Sequence, residues 1–398
     1  MQDKGFTSDK NVVFYGRDVF TKRSLAITVN GELISSIKEI PDDSSLPWVS
    51  AGWIDLQVNG CFGYDFNSIE ISASDVVNAA SKLHTCGVTQ FLPTIITGSR
   101  ERMAAGMAAV NKACQADYLT AATIPGIHME GPWISDQEGP RGAHKLEYIK
   151  DGSIEEFEYF QQAAGGRIIE VTLAPERNGA ITLTEELVRR GICVAIGHCN
   201  ASRSQILAIV DAGASISTHL GNGSHPTLPR HHNYIWEQMA EDRLYAGLIA
   251  DGHHLPLAVL TSILRCKKEK AFVVSDCVSL AGLPPGEYFN EIGNVVILNE
   301  DGRLFTKENP EILAGSSATL LRNIEFLTSI LGLSLAEVIR LVTERPAAAM
   351  GWAGMGSLAV NKQAYMTFFD YDMTVGKVKI RRTVVAGQSV YEAQNQIT

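Results

Sequence analysis

Five ionisable side chains stand at the ends of apolar segments in the middle of this 398-residue sequence. They are Glu130, His198, His219, Asp251 and Asp276. A catalytic zinc ion commonly takes three protein ligands from histidine and carboxylate side chains and leaves a fourth position for water. Such a water ionises near neutral pH and becomes a nucleophile. The residue types therefore predict a hydrolytic metal site, with Glu130, His198 and His219 as ligands and Asp276 as the carboxylate that accepts and passes on the proton.

These side chains belong to a regular series of strand-like and helix-like segments. Eight short apolar runs alternate with stretches such as residues 73–87 and 204–214, whose apolar residues recur at helical spacing. Eight strand–helix units over about 300 residues predict a (β/α)8 TIM-like barrel, in which the carboxyl ends of the strands converge on the active-site face. A doubly wound open sheet is the alternative, but no GxGxxG motif or P-loop is present. The predicted strands are 52–58, 88–94, 124–130, 168–176, 193–198, 215–220, 245–251 and 271–276.

Both ends of the chain are rich in β-like segments, unlike the middle. Residues 11–40 contain "NVVFYG" and "LAITVNGELISSIKEI", and the carboxyl-terminal part contains "AYMTFFDYD" and "KVKIRRTVVAGQSVYE". Such runs with turn-like glycines indicate antiparallel strands. We therefore predict a small β-sandwich domain built from residues 1–50 and 357–398, which flanks a barrel domain at 51–356.

The composition favours an enzyme that acts on small molecules in a reducing compartment. The net charge of -10 argues against a nucleic acid or an anionic membrane as the partner. Seven cysteines without a CxxC pair argue against a disulfide framework and favour the cytoplasm. No apolar run approaches the roughly 18 residues that cross a bilayer, and the amino-terminal "MQDKGFTSDK" lacks the apolar core of a signal peptide.

Seven motifs resemble, in order along the chain, those of one enzyme family. The chain resembles the N-acetylglucosamine-6-phosphate deacetylases of the amidohydrolase superfamily over nearly its whole length. This resemblance implies the barrel with its small β-sandwich domain, and it implies hydrolysis of N-acetylglucosamine 6-phosphate to glucosamine 6-phosphate and acetate. The motifs are "HMEGPW" (128–133), "GAH" (142–144), "IGHCNA" (196–201), "THLGN" (218–222), "ADGHH" (250–254), "VSDCVSLAG" (274–282) and "LAGSSATL" (313–320).

The resemblance also implies a role for individual residues. Glu130, His198 and His219 match the family's metal ligands. Asp276 matches the aspartate that deprotonates the water and later protonates the departing amine. His144, in "GAH", matches a histidine that contacts the substrate and polarises its acetyl carbonyl.

A second group of residues would hold the sugar phosphate. The backbone of Asn222 and Gly223, together with Arg230 and His254, matches the family's positions for this task. The family's arginine reaches into the neighbouring subunit's site, so the resemblance implies a homodimer. Arg141, just before the "GAH" motif, is a rival candidate for contact with the phosphate.

The first predicted strand ends in Gln57-Val58-Asn59, where metal-dependent hydrolases often carry His-x-His. Family members with the two histidines can hold two metal ions, whereas members with Gln-x-Asn hold one. The resemblance therefore implies one divalent ion per chain. Zinc is the expected ion, although a glutamate and two histidines also suit iron or another divalent metal. Gln57 would hydrogen-bond the substrate or the water at the metal.

Three functions are compatible with these residues. The first, which we expect, is single-metal deacetylation of an N-acetylated amino-sugar phosphate. The second is hydrolysis of another N-acyl or cyclic amide, because the loop at 223–236 departs from the family pattern where it should cover the sugar phosphate. The third is a non-catalytic barrel used for binding or assembly. The presence of Asp276 beside a full ligand set argues against this third function.

Overall fold

The structure, a computed structural model, describes residues 11–289 and 295–394. The segment "MQDKGFTSDK" and the last four residues of the predicted sandwich domain lie outside these ranges. Within them the chain forms an eight-stranded sheet, a seven-stranded sheet, a three-stranded sheet and a short hairpin.

The strands are numbered in chain order. The amino-terminal strands are β1 (Val12–Asp18), β2 (Ser24–Asn30), β3 (Leu33–Glu39) and β4 (Trp48–Ala51). The first barrel strand and the hairpin after it are β5 (Trp53–Val58), β6 (Gly60–Cys61) and β7 (Tyr64–Asp65). The other barrel strands are β8 (Val88–Ile96), β9 (Ile127–Glu130), β10 (Ile168–Leu173), β11 (Cys193–Ile196), β12 (Ile216–Ser217), β13 (Tyr245–Ile249) and β14 (Ala271–Val274). The remaining strands are β15 (Gly286–Phe289), β16 (Val295–Leu298), β17 (Leu304–Thr306), β18 (Met366–Asp372), β19 (Lys377–Val385) and β20 (Gln388–Glu392).

The helices in the described ranges lie mostly between barrel strands. They are α1 (Ala73–Thr85), α2 (Arg100–Ala116), α3 (Tyr118–Thr123), α4 (Ile154–Ala163), α5 (Ala180–Arg189), α6 (Arg203–Asp211), α7 (Tyr234–Ala240), α8 (Leu257–Lys267), α9 (Leu320–Ser329), α10 (Leu335–Leu341) and α11 (Glu344–Ala349).

The eight-stranded sheet is the predicted barrel, and each of the eight predicted runs supplies one of its strands. The strands follow one another in chain order, and each neighbouring pair in the ladder is parallel. Alternation along the strands separates two cores. Ala246 and Leu248 of β13 pack in the large core that includes the helices, whereas Ile249 packs with Phe272 and Val274 in a smaller core inside the barrel. The prediction of a barrel is confirmed.

Helix ends follow signals that are visible in the sequence. The Ser72 hydroxyl accepts a hydrogen bond from the Asp75 N–H, and the Asp75 carboxylate accepts one from the Ser72 N–H, which starts α1 with a capping box. Gly87, just beyond the end of α1, has a φ of +82° that favours glycine. Both ends of α1 are therefore fixed by residues close to them in the sequence, and β8 begins shortly after the helix ends.

The barrel closes through an irregular seam between β5 and β14. The Asp276 N–H donates to the carbonyl oxygen of Gln57 at 2.9 Å. The Ser275 N–H donates to the carboxylate of Asp55 at 3.0 Å, so a side chain stands where a regular ladder would use a strand carbonyl. Burial raises the pKa of Asp55 to about 7. The seam therefore places several polar groups beside the carboxyl ends of the first and last strands.

Both chain ends build the seven-stranded sheet, in the order β20-β19-β18-β4-β1-β2-β3. Strand β4 joins the two ends because it pairs with β1 in parallel and with β18 antiparallel. The seven-stranded sheet is curled, so that the turn at Gly31 and the turn at Gly387 lie against each other. A Cβ added to Gly387 would lie only 2.1 Å from the Gly31 carbonyl oxygen. Its own core contains Phe14, Ile27 and Phe368. The prediction that the two termini form one small β domain is confirmed.

All seven cysteines have free thiols. No disulfide links any two of them. In the described parts of the chain, no helix is long and apolar enough to cross a membrane.

A buried carboxylate fastens the terminal sheet to the barrel. Glu325 of α9 accepts a hydrogen bond from the Val378 N–H at 3.1 Å and one from the Lys377 ammonium at 2.8 Å. The Glu325 residue is only 8% exposed. The Val378 N–H belongs to β19 but is not used within the sheet, and the Glu325 carboxylate provides its acceptor.

Replacing Glu325 with alanine should therefore lower stability. The Val378 N–H would lose its acceptor in a buried place, which costs about 1–3 kcal/mol. We expect a lower urea midpoint of unfolding, measured by circular dichroism. The control is Glu39→Ala, which removes an exposed ion pair with Arg23 and should cost less than about 1 kcal/mol. Equal midpoints for the two variants would contradict the role given to Glu325.

Candidate active site

Three side chains at strand ends bring their ligand atoms into one small triangle. The Oε1 atom of Glu130 lies 3.2 Å from Nε2 of His198 and 3.1 Å from Nε2 of His219. The two Nε2 atoms are 3.1 Å apart. All three side chains are buried. The residues predicted as metal ligands therefore point at a common position.

The backbone is strained where it carries these groups. His198 follows β11 with a φ of +49°, His219 follows β12 with +29°, and Asp276 follows β14 with +49°. A left-handed φ is uncommon for residues other than glycine and costs roughly 1–3 kcal/mol. Three such positions after strands of one sheet indicate that the backbone is shaped for a functional site.

His198 is held in one tautomer by the loop at 137–144. Its Nδ1 atom lies 2.8 Å from the Pro140 carbonyl oxygen, which can only accept a hydrogen bond. Nδ1 therefore carries the proton, and Nε2 presents a lone pair to the triangle. Two glycines lie against the same ring: a Cβ would approach it to 3.2 Å at Gly142 and to 2.8 Å at Gly223. The ring has no room to turn away.

His144 joins the cluster from this same loop. Its Nε2 atom lies 3.2 Å from Nε2 of His198, and the two rings are nearly perpendicular at 85°. One ligand atom each from Glu130, His144 and His198 lie within 4.8 Å of one another. The guanidinium of Arg141 donates to the His144 carbonyl oxygen at 2.7 Å. Arg141 therefore braces the loop that carries His144.

Charge in the cluster is arranged to receive a cation. Burial acts to raise the pKa of Glu130, but the imidazoles of His198 and His219 beside it outweigh burial and hold this pKa well below its usual value. Burial acts to lower the pKa of His219, but Glu130 raises it above its usual value. Burial, with the charge of His198, lowers the pKa of His144 to about 3. An ionised carboxylate among imidazole lone pairs is the donor set that a divalent metal requires.

The spacing of the donors also fits a metal ion. Tetrahedral zinc with ligands at about 2.0–2.1 Å has ligand atoms about 3.3 Å apart. The three separations in the triangle are 3.1, 3.1 and 3.2 Å. Imidazole and carboxylate donors suit both zinc and iron. The buried triangle therefore matches the size and chemistry of a single-metal site.

Asp276 lies at the seam with one carboxylate oxygen held. Its Oδ1 atom accepts a hydrogen bond from Nδ2 of Asn59 at 2.7 Å. In the described parts of the chain no hydrogen bond reaches its Oδ2 atom. Burial raises the pKa of Asp276 to about 6, and the charges of His219 and His254 oppose this rise. Such a carboxylate can take up and release a proton near neutral pH.

The amides of the first strand contact the two carboxylates of the site. Nε2 of Gln57 donates to Oε1 of Glu130 at 3.2 Å, and Asn59 donates to Asp276 as described. Gln57 is buried, whereas Asn59 is half-buried. Gln57 thus contacts the carboxylate of the triangle, and Asn59 contacts the carboxylate of Asp276.

His254 is oriented by Asp251, which follows β13. Its Nδ1 atom lies 2.7 Å from Oδ2 of Asp251, and its backbone N–H donates to Oδ1 at 2.9 Å. Burial acts to raise the pKa of Asp251, but His254 outweighs it and lowers this pKa to about 2. Because Nδ1 is engaged, the Nε2 atom of His254 remains available for a ligand.

Three further residues, Asn222, Gly223 and Arg230, were predicted to hold the sugar phosphate. Asn222 donates to the His219 carbonyl oxygen from its backbone N–H at 2.9 Å and from Nδ2 at 3.2 Å. Gly223 follows and lies against His198. Arg230 is exposed, and it has no hydrogen-bond or ion-pair partner in the described ranges. The structure therefore does not bring Arg230 into contact with the cluster of its own chain.

Sequence reasoning did not assign several supporting contacts. Asp251 stood out only as a strand-end residue, and its signal was the adjacent "GHH". Asn59 stood out only as the second residue of Gln-x-Asn. The Pro140 carbonyl had no signal, since every residue carries a backbone carbonyl. Arg141 was considered for a phosphate, whereas its observed partner is the backbone of His144.

Comparisons with known proteins show the family of this chain. The pattern of the amidohydrolase family matches residues 48–390. An N-acetylglucosamine-6-phosphate deacetylase of Haemophilus influenzae is 30% identical over 373 residues, which cover 90% of this chain and 94% of that protein. An N-acetylgalactosamine-6-phosphate deacetylase of a Shewanella species is 31% identical over 353 residues, 86% of this chain and 83% of that protein.

Solved structures show the same likeness. The crystal structure of an N-acetylglucosamine-6-phosphate deacetylase from Pasteurella multocida is similar with a TM-score of 0.83 and 27% identity. The match covers 95% of this chain and 99% of that one. The match thus spans both the barrel and the terminal sheet. The chain therefore belongs to the amidohydrolase family, in the group of its amino-sugar-phosphate deacetylases.

Proposed function

We propose that this protein hydrolyses the N-acetyl group of N-acetylglucosamine 6-phosphate to give glucosamine 6-phosphate and acetate. The observation that carries the proposal is the triangle of Glu130, His198 and His219 beside an Asp276 carboxylate with one free oxygen. Relatives named for this reaction match most of the chain. A second candidate is the galactosamine isomer of the substrate, because the Shewanella relative is named for it.

The side chains have separate tasks in this reaction. Asp276 takes a proton from the attacking water at Oδ2 and passes it to the departing amine nitrogen, so that water supplies both the acetate oxygen and the amine proton. His144, kept neutral by its low pKa, donates a hydrogen bond to the acetyl carbonyl oxygen as negative charge develops there. Asp276 is suited to both transfers because burial brings its pKa to about 6.

Glu130, His198 and His219 would hold one divalent ion, zinc by expectation, with iron as the alternative. An ion bound there would lower the pKa of a water molecule and polarise the acetyl carbonyl. The close spacing of the three donors and the fixed tautomer of His198 support this assignment.

The sugar phosphate would bind on the far side of the cluster. Gly223 offers a backbone N–H that has no acceptor in the described ranges, and His254 offers Nε2. Arg230 would reach the site of a second subunit, which its exposure supports, so the working enzyme is proposed to be a homodimer. Gln57 would contact the substrate or the nucleophilic water. Seven free thiols support a cytoplasmic location.

Acetate release tests the reaction and the substrate together. Metal-analysed protein is assayed with N-acetylglucosamine 6-phosphate, N-acetylgalactosamine 6-phosphate and unphosphorylated N-acetylglucosamine. We expect kcat/KM to be about 10- to 100-fold higher with a phosphate, because charge-assisted hydrogen bonds contribute about 1.5–3 kcal/mol. Arg230→Ala should reduce this preference. Equal activity on all three compounds, or none, would exclude the proposed substrate class.

Asp276→Asn should abolish most turnover and retain the metal. The amide cannot accept a proton, so we expect kcat to fall by about 10²- to 10⁴-fold. Metal content per chain, measured by elemental analysis, should equal that of the wild type because Asp276 lies outside the triangle. A near-normal kcat would show that another group transfers the proton.

Gly223→Ala should weaken metal binding through the His198 ring. Gly223 has a φ of +56°, and a Cβ there would lie 2.8 Å from Nδ1 of His198. Gly31→Ala is the matched control, since its φ is +59° and nothing lies within 4 Å of the added Cβ. Both variants carry the same backbone strain.

We expect zinc occupancy in a zinc-buffered dialysis to fall for Gly223→Ala and to stay at the wild-type level for Gly31→Ala. If both variants retained the metal equally, the His198 ring would not be confined by Gly223.

A further inference from the structure

Asn59 stands at the barrel seam with its backbone already fixed. Its N–H donates to the carbonyl oxygen of Cys277 at 2.9 Å, and the Asp276 N–H donates to that of Gln57 at 2.9 Å. The ends of β5 and β14 are thereby held together. The Asn59 side chain crosses this junction, and its Nδ2 atom lies 2.7 Å from Oδ1 of Asp276. The pair joins residues 217 positions apart in the sequence.

The Nδ2 atom of the Asn59 amide is the one that serves Asp276, because it donates the hydrogen bond. An ionised carboxylate only accepts hydrogen bonds, so the amide must present its nitrogen to Asp276. The Oδ1 atom of Asn59 is buried and has no hydrogen-bond partner in the described ranges. An unsatisfied buried oxygen is unfavourable. Leucine, which is of similar size, would fill the space without this cost, so packing alone does not account for an amide here.

This hydrogen bond distinguishes the two oxygens of Asp276. The carboxylate can rotate about its Cβ–Cγ bond, and its backbone is in a left-handed conformation with a φ of +49°. With Oδ1 held by Asn59, rotation is restricted, and Oδ2 has no hydrogen-bond partner among the described residues. Proton transfer requires an oxygen that is both within hydrogen-bond reach and correctly oriented.

We propose that Asn59 is a positioning residue for proton transfer, because its hydrogen bond holds the Asp276 carboxylate with Oδ2 directed to the water and the departing amine. The proposal rests on the proposed function, in which Asp276 transfers the proton. Asn59 contacts no member of the triangle in the hydrogen bonds described above, whereas Gln57 contacts Glu130. Loss of Asn59 should therefore affect kcat and leave metal binding unchanged.

The first test is Asn59→Leu in the metal-loaded enzyme. We expect kcat for acetate release to fall about 10- to 100-fold, the loss typical of a misplaced catalytic group. KM and the metal content per chain should remain at wild-type values. Asn59→Ala, which adds no bulk, provides the same test if the leucine variant does not fold.

The matched control is Asn178→Leu. Nδ2 of Asn178 donates to a carboxylate oxygen of Asp151 at 2.9 Å, so the two residues form an equivalent pair on the exposed surface. Removing this pair should leave kcat, KM and metal content unchanged. A fall in kcat as large as that of Asn59→Leu would show that the loss is not specific to the seam, and it would overturn the proposal.

A double-mutant cycle decides whether Asn59 acts through Asp276. In the Asp276→Asn background, Asn59→Leu should cause no further loss of kcat, since residues that act as a unit are not additive. The same fold-loss in both backgrounds would overturn the proposal. An unchanged kcat in Asn59→Leu, in an enzyme whose Asp276→Asn variant has lost turnover, would also overturn the proposal. The proposed function would then stand, with no role for Asn59. A near-normal kcat in Asp276→Asn would remove both assignments.

Discussion

Three electron-rich atoms are held within 3.2 Å of one another in a buried space, and the rest of the site depends on this constraint. When both imidazoles are deprotonated at Nε2, as a metal requires, their lone pairs and the carboxylate repel one another, and low local polarity strengthens that repulsion. The backbone nonetheless forces them together with left-handed conformations at His198 and His219. A cation between the three atoms would relieve this repulsion, and the spacing fits one divalent ion.

The irregular closure of the barrel accounts for the position of the proton-transfer candidate. A regular ladder between β5 and β14 would use the backbone groups of both strand ends and keep them extended. Here the Asp55 carboxylate replaces a strand carbonyl, and Asp276 turns to a φ of +49°. The seam therefore gives Asp276 and Asn59 the freedom to face each other at the mouth of the barrel.

The loop at 137–144 contributes groups to the site that the barrel strands do not carry. It contributes the carbonyl of Pro140 that sets the His198 tautomer, the close approach of Gly142 to the same ring, and His144 itself. Arg141 braces the loop through the backbone of His144. A rigid barrel thus positions the proposed metal ligands, and one loop both orients His198 and adds the group proposed to contact the acetyl carbonyl.

The sequence by itself determined the barrel, the β domain of the two termini and the identity of the converging side chains. This was possible because strand and helix periodicities are local, and because parallel strands in a barrel present their carboxyl ends on one face. Which oxygen of Asp276 is held and which nitrogen of His198 carries the proton were decided only in the tertiary structure. These depend on contacts across the seam and on a backbone carbonyl. Neither has a residue type or spacing that marks it, because the barrel must close before such partners meet.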